Sequence, residues 1–144
     1  MLVPAGVLVL VVLGAIAVDF AVAFLAQREL SSLAASLAND AATVALSEGA
    51  FYGEAPGTVE IDRGSADDLV REALGLRAPR GITDVERSVA TLDDQVCVTL
   101  TGRVAYVFAR AIPGGPRGTT VTGRAVATAV RGGRSPRPAD DRLC

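Results

Sequence analysis

The stretch AIAVDFAVAFLAQRELSSLAASLANDAATVAL, residues 15–46, decides how the chain is read. As far as Ala26 it is apolar except for Asp19, and it continues an uncharged run that begins at Leu2. Beyond that point apolar residues recur at Leu30, Leu33, Leu37, Ala41 and Val44, in steps of three and four. Arg28, Ser31, Ser32, Ser36, Asn39, Asp40 and Thr43 fill the other positions. Steps of that size put side chains on one side of an α-helix. No Gly or Pro interrupts the stretch, and Gly49 stands where a C-terminal glycine would close a helix. The pattern predicts one continuous helix from about Val3 to Glu48, with Pro4 tolerated in its first turn.

The two halves of this helix ask for different surroundings. Crossing ~30 Å of hydrocarbon takes roughly 20 predominantly apolar residues, and residues 1–26 supply them as a transmembrane anchor. The core helix of a small soluble domain would show a polar face, and this run has none. A cleavable signal peptide is the rival, with Ala21-Val22-Ala23 as a passable cleavage site. Against it, no Lys or Arg precedes the apolar run, the run is long, and the helical pattern continues past the cut. The uncleaved anchor is therefore the preferred reading, and the missing basic flank points to a start upstream of Met1. Residues 27–48 form the amphipathic half, suited to packing on a sheet. The domain that follows, residues 49–131, is placed outside the cytoplasmic membrane on a single-pass anchor, and residues 132–144 read as a disordered tail.

Composition narrows the function. Net charge is −2, all 14 basic residues are arginines scattered along the chain, and the aromatics are 4 Phe and 2 Tyr with no Trp. A nucleic-acid-binding domain needs a concentrated basic face, so no nucleic-acid partner is expected. The chain has no His, which removes the commonest general base and metal ligand. It also has no Lys, so neither a Ser-His-Asp triad nor a Ser–Lys pair can be assembled. The pairs Asp67/Asp68 and Asp93/Asp94 fit a helix's first turn and a hairpin turn. Gly114-Gly115-Pro-Arg-Gly118 lacks the phosphate-loop pattern. No enzymatic activity, cofactor, metal or small-molecule substrate is expected.

The globular part reads as α+β. Residues 49–64 are turn-rich, with a short strand at 58–62. Ser65-Ala-Asp-Asp-Leu-Val-Arg-Glu-Ala-Leu-Gly-Leu reads as a helix capped by Ser65, with Leu69, Ala73 and Leu76 on its apolar face. About three strands follow, at 82–92, 95–109 and 119–130. In the second, Val96, Val98, Leu100, Val104, Tyr106 and Phe108 alternate against Cys97, Thr99, Thr101 and Arg103. In the third, Val121, Ala125, Ala127 and Ala129 share a face small enough for a helix to come close. An antiparallel sheet with one apolar face needs a cover, and Leu30, Leu33, Leu37, Ala41 and Val44 are its predicted partners.

Cys97 and Cys144 are the two cysteines. Outside the cytoplasm a disulfide between them is permissible, and a tail ending in Cys144 can reach the outer strand face that carries Cys97. Two thiols that stay reduced, or a Cys144 that pairs with another chain, are the alternatives.

A lipid-facing helix that continues into an Ala-rich amphipathic half, followed by a small antiparallel sheet, resembles a pilin-type subunit. More narrowly, AIAVDFAVAFLAQRELSSLAASLANDAATVAL is similar to the TadE/TadG-like proteins of tight-adherence (Flp-type) pilus systems. The shared features are an apolar run, an Ala-Val-Asp step, then Arg-x-x-Leu and an Ala-rich helix. VCVTLTGRVAYVF and TTVTGRAVATAV match that family's C-terminal sheet more loosely. The resemblance implies a minor pseudopilin or pilus-assembly component that works by packing against other pilin-like subunits. Gly14 and Asp19 have the spacing of a prepilin-peptidase site, but cutting there would leave only residues 15–26 as an apolar stem, too short to span. Gly14 is therefore read as a helix residue.

Asp19 is the intramembrane interaction candidate. A carboxylate in hydrocarbon costs on the order of 3 kcal/mol. One reading gives it a donor on a neighbouring subunit, in line with the resemblance to pilins. The other places it near the outer headgroups by tilt and thinning. A secreted or anchored binding module unrelated to pili is the alternative function.

Overall fold

The computed structural model describes residues 2–44, 61–129 and 143–144. Helix α1 runs unbroken over Leu2–Val44, 43 residues, which at ~1.5 Å per residue is about 64 Å of rod. Helix α2 covers Arg63–Leu76, and three strands follow: β1 at Ile82–Leu92, β2 at Gln95–Ala105 and β3 at Gly118–Thr128. The strands form one antiparallel sheet in the order β1-β2-β3. The architecture is α+β, a long N-terminal helix packed on a three-stranded antiparallel sheet.

The α1 rod changes environment along its length. From Pro4 to Val18 its side chains are exposed, with Ala15 alone half-buried. From Asp19 onward one side is covered, and Leu30, Ala34, Leu37, Ala38 and Ala41 are fully buried. The covered residues lie in steps of three and four, the spacing of a single helical stripe. Opposite them, Val96, Val98, Leu100 and Val104 of β2 are buried, and Leu33 packs on the same core at half-burial. Val44 corrects the expected packing set. It ends the described helix and is 66% exposed, because at this end the inward side of α1 passes through Ala38, Ala41 and Ala42 instead.

On β3 the closest approach falls on a residue that the alanine pattern does not mark. A Cβ on Gly123 would collide with the backbone of Leu30 and Ser31 in α1. Glycine in a strand interior often marks such a backbone approach. Val121, Gly123, Ala125 and Ala127 thus make a shallow trough in which the helix lies.

Two element boundaries differ clearly from the sequence expectation. β2 ends at Ala105, so Tyr106 and Phe108 belong to the connection and not to the strand. α2 starts at Arg63 with Asp62 as its cap, the carboxylate accepting from the Ser65 N–H at 2.7 Å. Ser65 is inside the helix, since Asp62 stands three residues ahead and satisfies that orphan donor. The buried side of α2 is Ala66 and Val70, with Leu69, Ala73 and Leu74 packed beside them, whereas Leu76 is exposed at the helix end. The expected end of the long helix at Glu48, most of the strand at 58–62 and most of the tail lie outside the described residues. Ile61, which is described, is bridged to the β1–β2 turn through its N–H to the Asp93 carbonyl at 3.0 Å.

Candidate functional site

After β2 the chain turns through Tyr106–Phe108 into a short 3-10 helix at Ala109–Ala111 and returns to β3 through Ile112–Arg117. This connection meets α1 at Asp19. The N–H of Val107 and the N–H of Phe108 both donate to Asp19 Oδ1, at 2.7 and 3.0 Å, and the N–H of Ala109 donates to Oδ2 at 2.7 Å. The carboxylate is 7% exposed. Three backbone donors converging on one anion is a nest-like arrangement, and hydrogen bonds to an ionised acceptor are stronger than neutral ones.

Asp19 is thus partnered within its own chain, by backbone donors that neither sequence reading of this residue included. The physical reason lies in the loop. A turn entering a 3-10 helix presents successive N–H groups with no backbone acceptors of their own, and an acid on the facing helix supplies them. The sequence signal was present in the lone acid of an apolar run. Its partners are backbone groups some ninety residues away, which no side-chain pattern marks.

Four further N–H groups of the connection bond within it. Tyr106 donates to the Arg117 carbonyl, Ala111 to that of Phe108, Ile112 to that of Ala109, and Gly115 to that of Ile112. Pro113 and Pro116 have no N–H to satisfy. Outward it presents Val107, Phe108 and Ile112, the last 63% exposed. On the uncovered side of α1, Phe20, Phe24 and Leu25 are exposed as well.

Cys97 and Cys144 are joined in a disulfide, with Cα atoms 5.7 Å apart. Cys97 sits on the strand face turned away from α1, between Ala90 of β1 and Val126 of β3 in register. Both acids of the first pair have structural partners: Asp67 pairs with Arg87 at 3.1 Å, and Asp68 with Arg71. Asp93 and Asp94 form the two-residue turn between β1 and β2, and the Asp94 carbonyl accepts from the Ala129 N–H at 2.7 Å. Among the described residues no group of three or more acids and cysteines is placed to hold a metal.

Electrostatically, the described arginines face several elements. Arg77 reaches from the end of α2 to Asp40 at 3.5 Å and to the Ser36 hydroxyl at 3.4 Å on α1. Arg28 and Arg80 line a groove beside it. The Asp62 carboxyl is held below the usual carboxylate range, chiefly by the Ser65 N–H bond.

The apolar part of α1 is long and apolar enough to cross a membrane and is compatible with a single-pass anchor. Comparison with family models, with curated proteins and with solved structures returns no match.

Proposed function

We propose that the chain is a membrane-anchored, pseudopilin-like structural subunit of a Tad/Flp-type pilus-assembly or secretion system, with its α+β domain outside the cytoplasm. The observation that carries this reading is the single rod of α1. An exposed apolar stem runs without a break into a stripe buried by a small antiparallel sheet. A soluble protein would not leave fifteen or so consecutive apolar helical residues in water, since apolar area costs about 25 cal/mol per Å² exposed. The Cys97–Cys144 bond supports an oxidising compartment for the sheet. The similarity of residues 15–46 to TadE/TadG-like chains supports the pilus role.

The test uses the full chain in its own cell. The protein should stay with the membrane after an alkaline wash, co-purify with the inner-membrane platform of the pilus system, and be required for surface pili. Retention in the membrane with normal piliation and no co-purifying assembly component would leave an anchored module of another kind.

A further inference from the structure

We propose that the Tyr106–Arg117 connection is a lipid-contact surface, seated in the outer boundary of the bilayer and held against the stem by Asp19. The proposal rests on the reading of α1 as an anchor and adds where the membrane ends.

The outer end of the apolar stem sets the level. The exposed apolar surface of α1 continues past the turn that holds Asp19 and Val22, and the first exposed polar residues beyond it are Gln27 and Arg28. The loop's N–H groups touch the Asp19 carboxylate, so the loop lies at the height of the Asp19 turn. On the uncovered side of α1, Phe20, Phe24 and Leu25 carry apolar surface beyond it. These side chains stay in lipid only if the bilayer boundary rises past the loop.

The loop is built for that place. Irregular backbone near hydrocarbon is tolerated only where its polar groups are satisfied by protein. Here the two prolines remove donors, four N–H groups bond within the loop, and Asp19 takes three more. Val107, Phe108 and Ile112 turn outward, and Arg110 and Arg117 flank them. Apolar tips with adjacent guanidinium groups suit an interface of acyl chains and anionic headgroups. This also accounts for Asp19. Its charge is directed at backbone donors that would otherwise face lipid.

The chain has no Trp, so one introduced Trp reports alone. The full-length Phe108→Trp protein is reconstituted into vesicles of phosphatidylcholine and phosphatidylglycerol with a nitroxide on the lipid, either shallow or deep in the acyl chain. The expected result is blue-shifted emission, quenched strongly by the shallow label and less by the deep one. Ile112→Trp should behave in the same way, and it stands in if the first variant does not fold. Leu92→Trp, at the opposite end of the sheet, should emit as in water and stay unquenched. Leu10→Trp tests the anchor itself and should be quenched best by the deep label. Quenching at Leu10→Trp with none at either loop position overturns the lipid contact and leaves the anchor standing. No quenching at any position overturns both. Blue-shifted loop emission without lipid quenching means that another protein surface covers the loop, and it overturns the lipid assignment.

Discussion

The N–H of Ala109 donates to Asp19 Oδ2 over 2.7 Å, although the two residues are 90 positions apart. With the bonds from Val107 and Phe108, it fixes where the sheet ends on the rod. Asp19→Ala should leave three donors without an acceptor, while Asp19→Asn keeps one oxygen but turns an amide donor toward a donor. Amide exchange at Val107–Ala109 should speed up on the order of tenfold or more in the alanine variant, and by less in the asparagine variant. Exchange in the centre of β2 should change little. Hydrogen-exchange mass spectrometry on the detergent-solubilised full chain reads both.

Gly123 is where α1 and β3 touch backbone to backbone. A methyl there has nowhere to go, because the atoms it meets belong to the main chain of Leu30 and Ser31. Gly123→Ala should destabilise the domain by about 3 kcal/mol, the upper part of the usual range for overpacking. Gly75 in α2 offers the contrast, since a Cβ there meets nothing within 4 Å. Gly75→Ala should be neutral or stabilise by about 0.5–1 kcal/mol through helix propensity. Denaturant midpoints of the two variants should move in opposite directions.

What was legible in the sequence followed periodicity. The stripe through Leu30, Leu37 and Ala41 and the alternation of Val96, Val98 and Leu100 are repeats of 3.6 and 2, so the helix, the strands and their facing sides could be read directly. The trough at Gly123 was half legible. Alanines on β3 announced a close helix, but the residue with no side chain was the one that permitted contact. Val44 kept the helical step yet is exposed, since near its end the buried side of α1 runs through Ala38, Ala41 and Ala42, and periodicity does not say how a partner's surface drifts around the helix. The contacts of Asp19 were illegible for a deeper reason. They are bonds to backbone N–H groups, which every sequence contains, and they follow from tertiary placement alone.

The Cys97–Cys144 bond closes the chain over a separation of 47 residues. Constraining a loop of that length in the unfolded state contributes about 4 kcal/mol in the chain-entropy picture. Cys144→Ser, or reduction of the native protein, should therefore lower unfolding stability by about 2–4 kcal/mol. The stem should remain helical, because α1 takes no covalent support from the bond. Far-UV circular dichroism with urea denaturation, in the presence and absence of a thiol reductant, measures this. Identical midpoints under both conditions would mean that the tail adds nothing to the fold.

Asp62 gives the fold a pH dependence whose sign can be worked out. Its carboxylate caps α2 through the Ser65 N–H and is held below the usual carboxylate range in the folded state. A group whose folded value is depressed contributes stability that is complete above its unfolded value and is lost as pH falls through the folded one. The cap should thus be fully effective at neutral pH and fail only in acid, where the protonated side chain accepts the N–H bond more weakly. In a carbon-detected NMR titration, Asp62 should titrate below an aspartate in an unfolded peptide of the same local sequence. Asp62→Asn keeps an oxygen acceptor at the cap without a titrating charge, so it should fold with α2 intact and lose this part of the acid sensitivity. An Asp62 midpoint at or above that of the unfolded peptide would mean that the carboxylate does not serve as the cap in solution.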